Sequence, residues 1–228
     1  MSDRQPYKVI ILIPVYNGRI PLKSLVPQLA ELGLPGVILD DGSTDGLSAA
    51  DVVPFTYHRF DVNRGKGAVL KDGLELAKTA GYDFAITMDA DGQHPVASVP
   101  NFLKAITSTN NFIVGRRDWN LNNMPWARIL SNTITSWLLS RRTGLKIHDS
   151  QIGFRCYPLV NPHLWRVREG GFQFESAVFL RVRSLGLKLK WVDVPVVYAG
   201  EPSHMNHWCD TWQFIRFYIR SFWRDRSD

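Results

Sequence analysis

Two cysteines in 228 residues, Cys156 and Cys209, are too few and too far apart for a disulfide framework or a paired metal knuckle. They predict free thiols in a reducing compartment. No stretch approaches the ~18 to 20 consecutive apolar residues that a membrane-spanning helix requires. Residues 1–8 also lack the apolar core and small-residue cleavage site of a signal peptide, so a cytoplasmic protein is expected. Internal repeats, low-complexity tracts and linkers rich in Pro, Gly or Ser are missing as well. That predicts a single domain, and a composition of 45% hydrophobic and 21% charged residues is ordinary for a globular one. Acidic charge is in deficit, 21 Asp and Glu against 27 Lys and Arg, which leaves a net charge of +6. This balance suits an anionic partner, whether nucleotide, phospholipid surface, lipid phosphate or nucleic acid.

The chemistry concentrates in Thr87-Met88-Asp89-Ala90-Asp91-Gly92-Gln93-His94. The apolar run Phe84 to Met88 reads as a buried strand that places Asp89 and Asp91 at its C-terminal mouth, where open α/β sheets hold their ligands. Alternation along extended chain predicts that the two carboxylates share one side. Like charges so placed call for a hard divalent cation, to which the Gln93 amide oxygen adds a third ligand. A plain polar turn after a strand is the structural alternative.

Before that octapeptide, strands and helices alternate. Val9 to Ile13 predicts a strand closed by Pro14, Pro21 to Leu32 a helix with Pro27 as a kink, and Val37 to Leu39 a second strand that delivers Asp40 to Gly46 into a loop. Phe55 to Arg59 is a third strand. The glycine-flanked Asn63-Arg64-Gly65-Lys66-Gly67-Ala68 then opens a helix with Leu70, Leu74 and Ala77 on one face. A helix start with glycine-freed N–H groups and two cations suits a phosphate, although the Walker spacing is absent. A helix over Val96 to Thr107 and a strand over Phe112 to Gly115 complete the βαβ pattern of a mostly parallel sheet.

The texture changes after Arg117, because tryptophan, phenylalanine and arginine crowd into the second half. Met124 to Arg142 and Trp208 to Arg226 read as long helices, separated by a polar turn around His148 to Arg155, a helix over Phe174 to Leu185 and an edge strand over Leu189 to Tyr198. In the last helix Gln213, Arg216, Arg220 and Arg224 line one face, and Trp212, Ile215, Ile219 and Phe222 the other. That pattern fits either a membrane surface or packing on a core.

Ile13-Pro14-Val15-Tyr16-Asn17, Asp40-Asp41-Gly42-Ser43-Thr44-Asp45, Asn63-Arg64-Gly65-Lys66-Gly67 and Asp89-Ala90-Asp91-Gly92-Gln93-His94-Pro95 together resemble the family-2 glycosyltransferases, inverting nucleotide-sugar enzymes of GT-A fold. Gly115-Arg116-Arg117, Asp149 to Arg155, Phe174-Glu175 and Val194-Pro195-Val196 extend the likeness toward the polyprenyl-phosphate (dolichyl-phosphate) mannose and glucose synthases. The resemblance implies one Rossmann-like GT-A domain, α/β with helices flanking a mostly parallel sheet. Residues 1–117 would bind the nucleotide-sugar, and residues 118–228 the acceptor, with helices at a membrane surface.

Carried across, it implies that Asp41 bonds the nucleotide base, framed by Pro14, Tyr16 and Asn17, while Asp89 holds the nucleoside side; Lys66, by its charge at a helix start, is expected to add support for the leaving phosphate. Asp91 and Gln93, with Asp89, would bind Mg²⁺ or Mn²⁺. Asp149 falls in the acceptor pocket, as base for a hydroxyl or as an orienting group for a phosphate. Arg117, Arg155 and Glu175 are the further acceptor or phosphate contacts, and His204 stands where a lysine is usual. The expected partners are a GDP-mannose or UDP-glucose type donor and a lipid-phosphate or glycan acceptor, with no nucleic acid, and the expected place is the cytoplasmic face of a membrane. A nucleotidyltransferase would instead carry a Gly-X-Gly-X-X-Arg loop after the first strand. A basic, aromatic binding module has no reason to gather acidic loops at one sheet edge.

Overall fold

The computed structural model describes residues 6–118, 126–171, 173–195 and 207–224. A seven-stranded sheet in the order β3-β2-β1-β4-β6-β5-β7 forms its centre. The strands are β1 (Val9–Val15), β2 (Gly36–Asp40), β3 (Thr56–Arg59), β4 (Phe84–Thr87), β5 (Asn111–Arg117), β6 (Arg155–Pro158) and β7 (Lys188–Val194). The helices are α1 (Arg19–Ala30), α2 (Lys66–Thr79), α3 (Val99–Ala105), α4 (Trp126–Thr143), α5 (Gln173–Ser184) and α6 (His207–Arg224). Strands β1 to β4 run parallel, β5 and β7 are parallel to each other, and β6 lies antiparallel between β4 and β5. The unbroken apolar runs of β1 and β4 are buried at every position, as strands covered on both faces require.

Three sequence expectations change. Pro14 does not close β1, because the strand runs on to Val15 with Pro14 in register with Leu39. The Ile11 N–H bonds toward β2, at Pro35, and the Leu12 carbonyl accepts from Met88 on the β4 side. Alternation therefore turns the nitrogen of Pro14 to the β4 side, just past the last ladder bond there, so its missing N–H leaves no gap. The segment after Asp149 is not only a polar turn, since it enters β6, the antiparallel partner that joins the two parallel groups. The helix expected over Val96 to Thr107 is split into a 3₁₀ turn, Val96–Ser98, and α3. Pro27 sits within α1 on its exposed side, and Val196 to Tyr198, His204 and Met124 lie outside the described residues.

Asp40 closes β2 and anchors the loop after it. Its buried carboxylate accepts from the Ser43 N–H at 2.8 Å, from Arg59 Nη1 at 2.6 Å and from the Tyr57 hydroxyl. Burial opposes its ionisation, but the Ser43 and Tyr57 hydrogen bonds and the Arg59 guanidinium outweigh that and hold its pKa below the ordinary carboxylate value. A depressed folded-state pKa gives stability that is complete above the unfolded value and fades as pH falls through the folded one. Thermal melts of wild type and Asp40→Asn should therefore differ by a constant gap above about pH 5, with the gap closing below about pH 4.

Candidate functional site at the carboxyl edge of the sheet

The loops that follow β1, β2, β3 and β4 are laced together in sequence across the sheet edge. The Asn17 N–H donates to Ser43 Oγ at 2.9 Å, and its side-chain oxygen accepts from the Thr44 N–H at 2.7 Å, which draws the first loop onto the second. Asn17 does this from a left-handed backbone, φ 52°, a conformation that Asn tolerates better than most residues. Asp41 joins the second loop to the third by accepting the N–H groups of Arg64 at 2.7 Å and Gly65 at 2.8 Å. Lys66, the next residue, begins α2 and joins the third loop to the fourth through Asp89, Nζ to Oδ1 2.6 Å. The same ammonium reaches Glu175 of α5 at 2.8 Å.

Asp41 and Asp89 are thus separated only by the dipeptide Gly65-Lys66. The phosphate cradle expected of this turn is altered, however. Asp41 occupies the N–H groups of Arg64 and Gly65, and the Gly170 carbonyl accepts from the Ala68 N–H at 2.9 Å. Gly67 allows this approach, since a Cβ there would lie 2.7 Å from both the Gly170 and Gly171 carbonyl oxygens. The cation that this turn brings to the site is the Lys66 ammonium.

A second ion pair lies beside the first. Arg117, at the end of β5, grips Asp149 with two bonds, Nε to Oδ2 2.7 Å and Nη2 to Oδ1 3.0 Å. Asp149 is fully buried and also accepts from the Gln151 N–H at 3.2 Å. Burial works against the charge on Lys66, but the Asp89 and Glu175 carboxylates raise its pKa well above that of a free lysine. For Asp89 burial again opposes the charge, and Lys66, then His94, outweigh it and hold the pKa down. Asp91 stands exposed at the turn, yet goes the other way, pushed up by partial desolvation and then by the Asp89 carboxylate.

The two carboxylates meet through a turn, not through the alternation of an extended strand, because β4 ends at Thr87 and Ala90-Asp91 is already in the turn. Asp91 accepts from the Gln93 N–H at 2.9 Å. The His94 ring is buried and stacked on Phe154, and its Nδ1 accepts from the Asp89 N–H at 3.2 Å. A bare Nδ1 fits the lowering of the His94 pKa by burial.

Of the other residues singled out from sequence, Pro14 is buried in β1 while Tyr16 stands half exposed at the mouth of the first loop. Arg155 is not brought into the site. It is fully buried, donates to the carbonyls of Ile152, Glu175 and Ser150, and lies over the Phe179 ring at 4.9 Å. His204 lies outside the described residues.

Sequence reasoning missed Gly153. A Cβ there would sit 2.6 Å from each Asp89 carboxylate oxygen and 2.7 Å from Lys66 Nζ, so glycine is what lets the segment leading into β6 press on the ion pair. Its carbonyl also accepts from Thr87 Oγ1 at 2.7 Å. Gly153→Ala is expected to displace the Lys66–Asp89 pair, lowering stability by about 1–3 kcal/mol and activity by about 10–100-fold. Thermal melts and kcat/KM of the variant would check both.

The donor set fits a hard divalent cation. Asp89, Asp91, Asp149 and Glu175 stand against Lys66 and Arg117, four carboxylates to two cations, which leaves a residual charge of −2. No cluster of three His, Cys, Asp or Glu arranged as a metal cage occurs among the described residues. A magnesium-type ion does not need one, since it commonly takes one or two carboxylates and completes its shell with substrate phosphates and water.

A family model described as "Glycosyl transferase family 2" matches residues 10–159. The undecaprenyl-phosphate mannosyltransferase of Micrococcus luteus is 27% identical over 213 residues, covering 84% of each chain. The UDP-N-acetylglucosamine–dolichyl-phosphate N-acetylglucosaminyltransferase of Methanococcus voltae is 27% identical over 183 residues, 69% of this chain and 70% of its own. Among solved structures, mannosyl-3-phosphoglycerate synthase from Rubrobacter xylanophilus superposes with a TM-score of 0.71 at 13% identity, over 96% of this chain and 75% of its own. Glucosyl-3-phosphoglycerate synthase from Mycobacterium tuberculosis, in complex with Mn²⁺ and UDP-glucose, gives 0.65 at 15% identity, over 86% and 73%. At such identities the likeness is one of fold, the GT-A architecture.

Proposed function

The chain belongs to glycosyl transferase family 2 and is a glycosyltransferase, and from that premise we propose that it transfers a hexose, with inversion and with a divalent cation, from a nucleotide-sugar to a polyprenyl phosphate. The observation that supports the reading is the chain of contacts Asp41–Gly65, Lys66–Asp89 with Asp91 beside it, which joins acidic and basic groups along one edge of the sheet. The acceptor is argued from the relatives, two of which are by name transferases to undecaprenyl and dolichyl phosphate.

In this reading Asp41 and Asn17 shape the nucleoside end, with Tyr16 at its rim and Pro14 in its floor. Bound Mg²⁺ or Mn²⁺ supplies Lewis-acid neutralisation of the leaving diphosphate. Asp91 and the Gln93 amide would hold it, Asp91 making no ion pair of its own among the described residues. Asp89, already paired with Lys66, fixes that ammonium where it can follow the charge that builds on the leaving phosphate. Glu175 holds Lys66 from the other side.

At the acceptor end, both Asp149 oxygens face the Arg117 guanidinium. A phosphate acceptor arrives as an anion and needs no general base, so a carboxylate engaged in this way serves to aim Arg117. The test is a panel of nucleotide-sugars with Mg²⁺ or Mn²⁺, scored by nucleotide release with and without a polyprenyl phosphate. Release that depends on the lipid phosphate supports the reading. Release driven only by hydroxyl acceptors, with an acidic limb in the pH profile, would move Asp149 to the role of base.

A further inference from the structure

Helix α4 has two faces of opposite character. Asn132, Thr135, Ser136 and Leu139 are buried on one. On the other, Trp126, Leu130, Ile134 and Trp137 recur at the spacing of one helical face and are 69%, 50%, 48% and 62% exposed. Isolated exposed apolar side chains are ordinary, but a helix-long stripe with two tryptophans is not. The stripe continues beside the C-terminal end of α4, where Arg142 donates to the Ser221 carbonyl at 2.8 Å and covers the Phe222 ring at 4.8 Å. There α6 exposes Ile215, Ile219 and Phe222.

The charge on these two helices is mostly positive. Helix α4 contains three arginines and no Asp or Glu, and Arg141 is exposed at its end. Helix α6 has one acid, Asp210 in its first turn, and beyond it Arg216, Arg220 and Arg224 with no acid, and Arg216 and Arg220 are exposed next to the apolar positions. No helix among the described residues is long and apolar enough to cross a membrane. Amphipathic helices with tryptophan and arginine in this arrangement rest in the plane of a bilayer surface, rings in the acyl boundary and guanidinium groups on anionic headgroups.

We infer that the exposed faces of α4 and α6 form a docking surface for an anionic lipid bilayer. The inference deepens the polyprenyl-phosphate reading and rests on it for its purpose. The buried face of α4 holds the acceptor end of the site: the Ser150 N–H donates to Asn132 Oδ1 at 3.2 Å and Ser136 Oγ at 3.0 Å, next to the Asp149 gripped by Arg117. One helix of about 10–12 Å diameter therefore separates the docking surface from the acceptor pocket. A lipid phosphate at headgroup level is brought to Arg117 by the same helix that seats the protein.

Sedimentation with vesicles of phosphatidylcholine and phosphatidylglycerol, at about three to one, tests this without donor or acceptor, so docking and transfer fail separately. Wild type is expected to pellet, less so in high salt and hardly with phosphatidylcholine alone. Trp126→Ser/Leu130→Ser/Trp137→Ser should cut partitioning at least about tenfold, and Arg216→Ala/Arg220→Ala about fivefold per arginine, with melting temperatures unchanged because these side chains are exposed. Wild type that stays in the supernatant, or variants that pellet as well as wild type, would overturn the inference. So would a wild-type dimer, seen by light scattering, that the stripe variant splits while neither form binds vesicles, because the stripe would then belong to a second copy of the chain.

Discussion

Arg117→Met is expected to destabilise the protein by about 3–5 kcal/mol, lowering the melting temperature by something on the order of 10 °C. The cost comes from what is left behind. Asp149 has no exposed surface, and both its oxygens face the Arg117 guanidinium at 2.7 and 3.0 Å. Methionine keeps much of the arginine's apolar stem but leaves a buried carboxylate with the Gln151 N–H as its remaining described donor. Adding Asp149→Asn should recover a good part of the loss, since a neutral amide in that position needs no counter-charge. Chemical denaturation of wild type, the two single variants and the double variant would give the coupling between them directly. On the proposed acceptor role, transfer should fall in all three variants, since each lacks the Arg117–Asp149 pair even where stability is recovered.

Asp91→Asn should do the reverse, lowering kcat/KM by about 10²–10³-fold while stability holds or rises slightly. The Asp91 pKa is raised in the folded protein, by the surrounding protein and then by Asp89. A raised carboxylate favours folding only where it is protonated, and above its folded pKa the ionised group works against the native state. Asparagine removes that charge at neutral pH, and because Asp91 is exposed, solvent screens most of the cost and the gain is small. Loss of activity without loss of stability is the mark of a strained group kept for chemistry. Melting curves with and without Mg²⁺ and nucleotide should show wild type gaining from the pair and the variant gaining little.

Much of the fold was legible because its signals are local. The runs Val9 to Ile13 and Phe84 to Met88 are continuous and apolar, and glycine-flanked turns mark where helices such as α2 begin. β6 was not legible, because Arg155 and Pro158 interrupt its apolar run and its place between β4 and β5 is set by pairing with distant strands. Arg155 read as an anion contact for a related reason. A buried arginine bonded to three carbonyls looks, in sequence, like one aimed at a ligand, although its position inside Phe154 to Leu159 was a signal of burial. Around the site, the acidic residues stood out by type and spacing. Their partners did not, because the Lys66–Glu175 and Arg117–Asp149 pairs join residues far apart in the chain. Gly153 carried no signal of its own, since its role is the space a side chain would fill.

The claim beneath the whole account is that the Asp41 loop, Lys66, Asp89 and Asp91 form one cleft that takes up a nucleotide diphosphate together with a divalent cation. Isothermal titration of UDP and of GDP into the protein, with Mg²⁺ or Mn²⁺ and then with chelator, measures this most directly. Saturable uptake of one nucleotide that needs the cation and is lost in Asp91→Asn is the predicted result. Uptake equally strong in chelator, or no uptake of either nucleotide with metal present, would contradict it.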